Sequence, residues 1–204
     1  GMETEIYIPI KNIQKEPIAY GEDYTLSYYY QDHEGNWQDM EEEKYYRRAK
    51  AVIGFTDKGN QRKMYVANNS GLAERLLTPY DSSFEFELSD GFGYTVKQEV
   101  SADGFDLNSP EISYTVSNTS KTNKPVNISI NIEDVKSKIA QVKFTSKGTD
   151  VPIALTSEED GRIITGTKEI SENGTYVITA YDWSGNKAVK SFAVTNIDKE
   201  LPRI

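Results

Sequence analysis

Apolar side chains recur at every second position over several short stretches of the chain. In the C-terminal half they fall at Ile112, Tyr114 and Val116, at Val126, Ile128, Ile130 and Ile132, and at Val142 and Phe144. Such alternation puts one set of side chains on one face of a pleated strand, so each stretch reads as a half-buried β-strand. Val151 to Leu155 and Ile163 to Ile170 add two short candidates, and Glu133 to Ile139 leaves room for only a brief helix. In the N-terminal half the strand-like runs are Tyr24 to Tyr30 and Ala51 to Thr56.

Laying the chain over itself with a shift of 92 positions and no gaps brings Ser83–Ile112 over Thr175–Ile204. Asp90 meets Asp182, Gly93 meets Gly185, Asp106 meets Asp198, Pro110 meets Pro202 and Ile112 meets Ile204. The series Phe84, Phe86, Leu88 falls on Tyr176, Ile178, Ala180, while Val100 and Phe105 fall on Phe192 and Ile197. These identities sit at turn and exit positions and strand parity is kept between them, so each half is expected to close with the same hairpin. The glycine supplies the positive φ that such a turn needs, and the proline marks the exit.

About seven short strands per hundred residues, separated by Gly, Asn, Ser and Lys turns, fit an immunoglobulin-like sandwich. The expectation is therefore an all-β chain of two tandem immunoglobulin-like β-sandwich domains, residues 1–108 and 109–204, the first resting on the shared ending and its strand-like runs. Glu172–Pro202 (ENGTYVITAYDWSGNKAVKSFAVTNIDKELP) resembles the closing segment of bacterial immunoglobulin-like repeats, where NGTYT…DxxGN…IDxxxP recurs in secreted and wall-anchored proteins of Gram-positive bacteria. The first half departs from that pattern with Tyr94 where the motif has Asn. The resemblance implies an extracellular location at the cell surface or wall, and a role as adhesin, stalk or spacer. It also raises an internal Lys–Asn isopeptide crosslink, with Asn196 near the position. Because Ile204 falls on Ile112, the chain is expected to run on into a third module, and the opening Gly1-Met2 reads as a cloning scar.

Composition agrees with strands: Tyr, Thr, Val, Ile, Ser and Asn are plentiful, and Leu and Ala are scarce. There is no cysteine, so disulfides, thiolate nucleophiles and cysteine metal sites are excluded. Residues 1–108 carry 11 Lys+Arg against 20 Asp+Glu and residues 109–204 carry 12 against 12, so the net charge of −9 belongs to the first half. An acidic surface repels phosphate backbones, which argues against nucleic acid as a partner. No apolar run reaches the roughly 18 to 20 residues of a membrane-spanning helix, which argues against membrane insertion by this segment.

Candidate chemistry is sparse. The only histidine, His33, lies in QDHEGNWQD, a polar hairpin tip where a solvent-exposed turn residue is the plainer reading than a general base. Paired carboxylates for glycoside hydrolysis have candidates in Glu41, Glu42 and Glu43 and in Glu158, Glu159 and Asp160, although acidic runs in loops are usually solvated charge. The linkers Asp103–Pro110 and Thr195–Pro202 hold carboxylates and Asn that either ligate calcium or satisfy backbone donors before proline; a full ligand set is not visible. Neither a cofactor nor a metal site is assigned. Eleven of fourteen tyrosines fall in the first half, and Tyr28, Tyr30, Trp37 and Tyr46 are the candidates for a ligand-binding surface, since aromatic rings beside acids suit a glycan or protein partner.

The expected function is thus a non-enzymatic extracellular module of a bacterial surface protein, an adhesin or spacer made of monomeric modules in a longer chain, with a host or cell-surface glycan or protein as partner. The alternative is a carbohydrate-binding module attached to a secreted glycosidase. A hydrolase built on paired carboxylates ranks last.

Overall fold

The computed structural model describes residues 16–41 and 44–200. They form an all-β chain that divides into two compact units: residues up to Tyr28 with Lys50–Ala102, and Tyr29–Ala49 with Asp103 onward. Segment 29–49 thus groups with the second unit, whereas the sequence division falls after residue 108. The proposed start of a third module, at Pro202 and Ile204, lies outside the described residues.

The first half contributes β1 (Tyr24–Gln31), β2 (Trp37–Asp39), β3 (Ala49–Phe55), helix α1 (Asp57–Gln61), β4 (Tyr65–Val66), β5 (Glu74–Leu77), β6 (Ser83–Ser89) and β7 (Thr95–Ser101). The second half contributes β8 (Glu111–Val116), β9 (Val126–Glu133), β10 (Ile139–Ser146), β11 (Thr149–Asp150), β12 (Ala154–Glu158), β13 (Ile163–Ile170), β14 (Gly174–Asp182) and β15 (Lys187–Val194).

In the second half one sheet has the order β12-β13-β9-β8 and the other β11-β10-β14-β15. Lettered along the chain, these are D-E-B-A and C′-C-F-G, the strand order of an immunoglobulin-like sandwich. Both sheets feed one core: Val126, Ile128 and Ile132 from β9 and Ile178 and Ala180 from β14 have no exposed surface. Each buried aliphatic side chain of this size contributes about 2 kcal/mol. At one end Phe192 stacks on Tyr114 (4.5 Å) and on Tyr176 (5.7 Å), with Phe144 beside them. The Tyr176 hydroxyl donates to the carbonyl of Glu172 (2.9 Å), the tyrosine-corner bond found near the start of strand F in such sandwiches.

Two local expectations change. Val151–Leu155 is not one strand: the chain pairs at Thr149–Asp150 and again at Ala154–Glu158. Glu133–Ile139 forms no helix, because the Asp134 carboxylate accepts from the amides of Lys136 (2.8 Å) and Ser137 (2.7 Å), closing a turn in which helical hydrogen bonding cannot start.

In the first half β1, β3 and β5 lie in that order in one sheet, and β4, β6 and β7 in another. Lettered in the same way they are A-B-E and C-F-G, with no strand D among the described residues and the β1–β2 hairpin inserted after A. Ala51, Leu77, Phe86 and Leu88 are fully buried here.

The shift of 92 holds at the level of hydrogen-bonded register. Phe84 pairs with Val100 and Tyr176 with Phe192; Leu88 pairs with Val96 and Ala180 with Ala188. After each hairpin the chain makes the same latch. Phe105 forms a parallel bridge with Tyr46, and Ile197 one with Thr122. The amide of Tyr46 donates to Gly104 and that of Asp106 to Tyr46 (both 2.9 Å), as Thr122 donates to Asn196 (2.9 Å) and Asp198 to Thr122 (2.7 Å).

Candidate functional site

The aromatic surface expected from the sequence is only partly at the surface. Tyr30 is 4% exposed and its hydroxyl accepts from Lys44 (2.9 Å), while Tyr46 is 5% exposed and packs edge-on against Phe105 (5.1 Å). Neither ring offers a face to a ligand, because each is covered by its latch or hairpin neighbours. Tyr28 is half-buried and Trp37 remains exposed at the hairpin.

Among the acidic runs, Asp160 pairs with Lys138 (2.7 Å), Glu159 with Arg162 (3.5 Å) and Glu41 with Lys44 (3.0 Å), so these are surface ion pairs. Glu42 and Glu43 lie outside the described residues. Asn196 donates to the carbonyls of Asn118 and Ser120 (both 2.9 Å), a structural use of its amide. His33 sits in the β1–β2 turn, as expected.

That turn is a third copy of the motif that joins β6 to β7 and β14 to β15. In Asp32–Asn36, Asp90–Tyr94 and Asp182–Asn186 the first residue donates its amide to the fifth carbonyl, and its Oδ1 accepts the fifth amide. Gly35, Gly93 and Gly185 hold φ of 91°, 96° and 85° at the fourth place. The likeness of DHEGN to DWSGN was readable in the sequence.

Two of these turns carry their aspartate into a buried charged site. In the first unit Asp90 meets Arg62, which is fully buried on the chain just after α1. Arg62 donates through Nε (3.2 Å) and Nη2 (2.8 Å) to Asp90 and through Nη1 (3.2 Å) to Asp23, and its remaining donors reach the carbonyls of Glu16 (2.7 Å) and Pro17 (3.3 Å). Burial disfavours the Asp90 carboxylate, but the guanidinium, helped by the amides of Tyr94 and Phe92, outweighs it and holds the group below its ordinary range.

In the second unit Asp182 meets Asp106 and Asp134. Asp106 and Asp182 have no exposed surface and Asp134 has 4%, and one oxygen from each lies within 4.8 Å of the others. Among the described residues no Lys, Arg or His forms an ion pair with any of the three. Ser137 donates to Asp106 (2.6 Å) and stands 2.5 Å from the Ser184 hydroxyl. The Asn186 side chain binds both Asp182 (2.8 Å) and the carbonyl of Asp106 (3.1 Å). Burial first, then the charges of Asp134 and Asp106, push Asp182 up to about 6 against the Asn186 hydrogen bonds. Burial likewise raises Asp134.

Three buried carboxylates with serine and carbonyl oxygens around them form an all-oxygen donor set, which suits a hard cation. Calcium–oxygen distances near 2.4 Å allow two ligands of one ion to lie up to about 4.8 Å apart, a limit that these three oxygens meet. Of the two linkers weighed for calcium, only the first supplies a carboxylate to such a cluster; Asp198 of the second pairs with Lys121 (2.6 Å).

The strand orders define the class: immunoglobulin-like β-sandwich. No protein-family model matches the chain, and no curated protein matches it. Among solved structures a marsupial T cell receptor aligns at 12% identity with a TM-score of 0.28, over 86% of this chain and 83% of that one.

Proposed function

We propose that this chain is a non-enzymatic extracellular module pair from a bacterial surface protein, with sandwiches over residues 1–108 and 109–204 that act as a stalk or spacer. The carrying observation is the repetition, at one offset of 92, of hairpin register, Asp–Gly turn and parallel latch. A unit that repeats its whole closing apparatus is built for serial use. Stretching the chain between two handles in a force spectrometer should give two separate unfolding events; one event, or extension without any, overturns the modular reading.

The acidic cluster favours a compatible second reading, in which a divalent cation completes the second unit. By chain position Asp182 and Asp106 in the second unit answer to Asp90 and Asp23 in the first, in the last hairpin turn and ahead of the first strand, while Asp134 and Arg62 both follow the strand lettered B. The first unit thus carries its own cation and the second lacks one. Calcium titrated into chelator-treated protein should raise one unfolding transition, by about 2.7 kcal/mol at a hundredfold excess over Kd. Asp134→Asn keeps the oxygen that accepts the two turn amides, so it should abolish the shift without unfolding the chain. An unchanged transition in the parent protein sinks the cation reading and leaves the modular one standing.

A further inference from the structure

The turn Asp182–Asn186 presents an indole that the turn itself does not require. The second place of the motif holds Trp183 here, but His33 and Gly91 in the other two copies. Trp183 is 42% exposed, a large apolar area left in water, and its amide is fixed to the carbonyl of Lys138 (2.9 Å). The Lys44 ammonium lies 4.7 Å from the centre of its ring, anchored in turn by Glu41 and the Tyr30 hydroxyl. The indole is therefore oriented rather than loose.

Trp183 borders a cleft of about 720 Å³ in the second unit. Tyr45, 40% exposed, and Val135, 70% exposed, supply further apolar surface. Four cations line the cleft, Lys44, Lys136, Lys138 and Arg162, against the carboxylates of Glu41 and Asp160. Both carboxylates are already paired, with Lys44 and Lys138. Arg162 pairs with Glu159 at 3.5 Å, an exposed pair outside the cleft lining, and Lys136, which makes no ion pair among the described residues, donates to the Phe105 carbonyl at 3.4 Å, so the lining carries four cations against two carboxylates inside a chain of net charge −9.

We propose that this cleft binds a short glycan ending in a pyranose that carries a carboxylate. An exposed indole and phenol suit the apolar face of a sugar ring, and the paired carboxylates and ammonium groups offer acceptors and donors to hydroxyls. Arg162 and Lys136 take the carboxylate, for which a guanidinium fork is matched in shape. The volume holds a di- or trisaccharide, and the net negative charge of the chain disfavours long polyanions.

The test is fluorescence titration of the full chain in a Trp37→Phe background, so that Trp183 alone reports. Sialyllactose and a glucuronate-terminated disaccharide are the probes, and lactose is the uncharged counterpart. At least one acidic sugar should change Trp183 emission with a Kd below about 1 mM, and lactose should bind at least tenfold more weakly. Arg162→Gln, on an exposed side chain, should weaken the acidic sugar at least tenfold and leave lactose unchanged. Trp183→Ala, followed by calorimetry, should abolish binding of both. Equal binding of lactose, undiminished binding in either variant, or no response to either acidic probe at millimolar concentration each overturns the assignment. None of these results bears on the modular reading.

Discussion

The first unit buries two aspartates around Arg62, and the second buries two around a third aspartate. In both, one acid comes from the Asp–Gly turn between the last two strands and one from the chain ahead of the first strand. The third group comes from the segment after the second strand. One architecture thus meets the same electrostatic problem in two ways. Two carboxylates withdrawn from water need positive charge nearby, and Arg62 supplies it covalently, with every nitrogen hydrogen-bonded. Adding Asp134 instead raises the cost and leaves the second unit dependent on what the solution provides.

The largest expected effect comes from removing the built-in cation. Arg62→Met leaves Asp23 and Asp90 buried with backbone amides but without a counter-charge, and Asp23 already has one oxygen without a hydrogen bond. Breaking a buried ion pair by deleting one side costs about 3–5 kcal/mol. Denaturant unfolding should therefore show the first unit's transition lost or much lowered while the second is unmoved, and calcium should not rescue it. If Arg62→Met leaves both transitions in place, the guanidinium does not neutralise the site and the contrast between the units is void.

The next effect sharpens the contrast through pH. With calcium chelated, Asp182 titrates near 6 in the folded chain against an ordinary value of 3.8. A carboxyl whose folded pKa is raised costs stability above that pKa, and the cost disappears as pH falls toward the unfolded value. The second unit should gain on the order of 3 kcal/mol between pH 7 and pH 4, with Asp134 acting in the same direction. Asp90 is displaced downward, so its contribution to the first unit is present above about 3.8 and is lost only as pH falls below that. Thermal melts in chelator should show the second unit's transition rising between pH 7 and pH 4 while the first unit's holds, and the first unit's falling only below about pH 3.8. Parallel movement means that the acidic cluster is not the controlling group.

Much of this architecture is legible in the sequence. Alternation locates β8, β9 and β10, and the shift of 92 carries the ladder register because period-two side chains on a buried face admit no slip. The acidic cluster is not legible: Asp106, Asp134 and Asp182 lie far apart in sequence, and only closure of the sandwich brings them together. The tyrosine surface misleads for a related reason. Parity says which face a strand residue takes, but whether that face meets water depends on what covers it, and Lys44 covers Tyr30. Trp183 is not legible either, because an aromatic residue in a turn has no periodic signal.

The smallest effect tests whether repeated turns are equivalent parts or merely alike in backbone. Gly93 and Gly185 occupy the same place in the motif with φ of 96° and 85°, a region that costs a residue with a side chain about 1–2 kcal/mol. Their surroundings differ: a methyl group on Gly93 would meet nothing within 4 Å, whereas one on Gly185 would lie 3.4 Å from the Cα of His33 and 3.7 Å from the carbonyl oxygen of Asp32. Gly93→Ala should therefore cost about 1 kcal/mol, the conformational penalty alone. Gly185→Ala should cost the same penalty or slightly less, because contacts at 3.4 and 3.7 Å are ordinary van der Waals packing that leaves the Asp32 and Asp182 turns in place. A clearly larger loss for Gly185→Ala, read from denaturation midpoints at constant slope, would show that the Asp32 and Asp182 turns are held too tightly against each other to admit a methyl group.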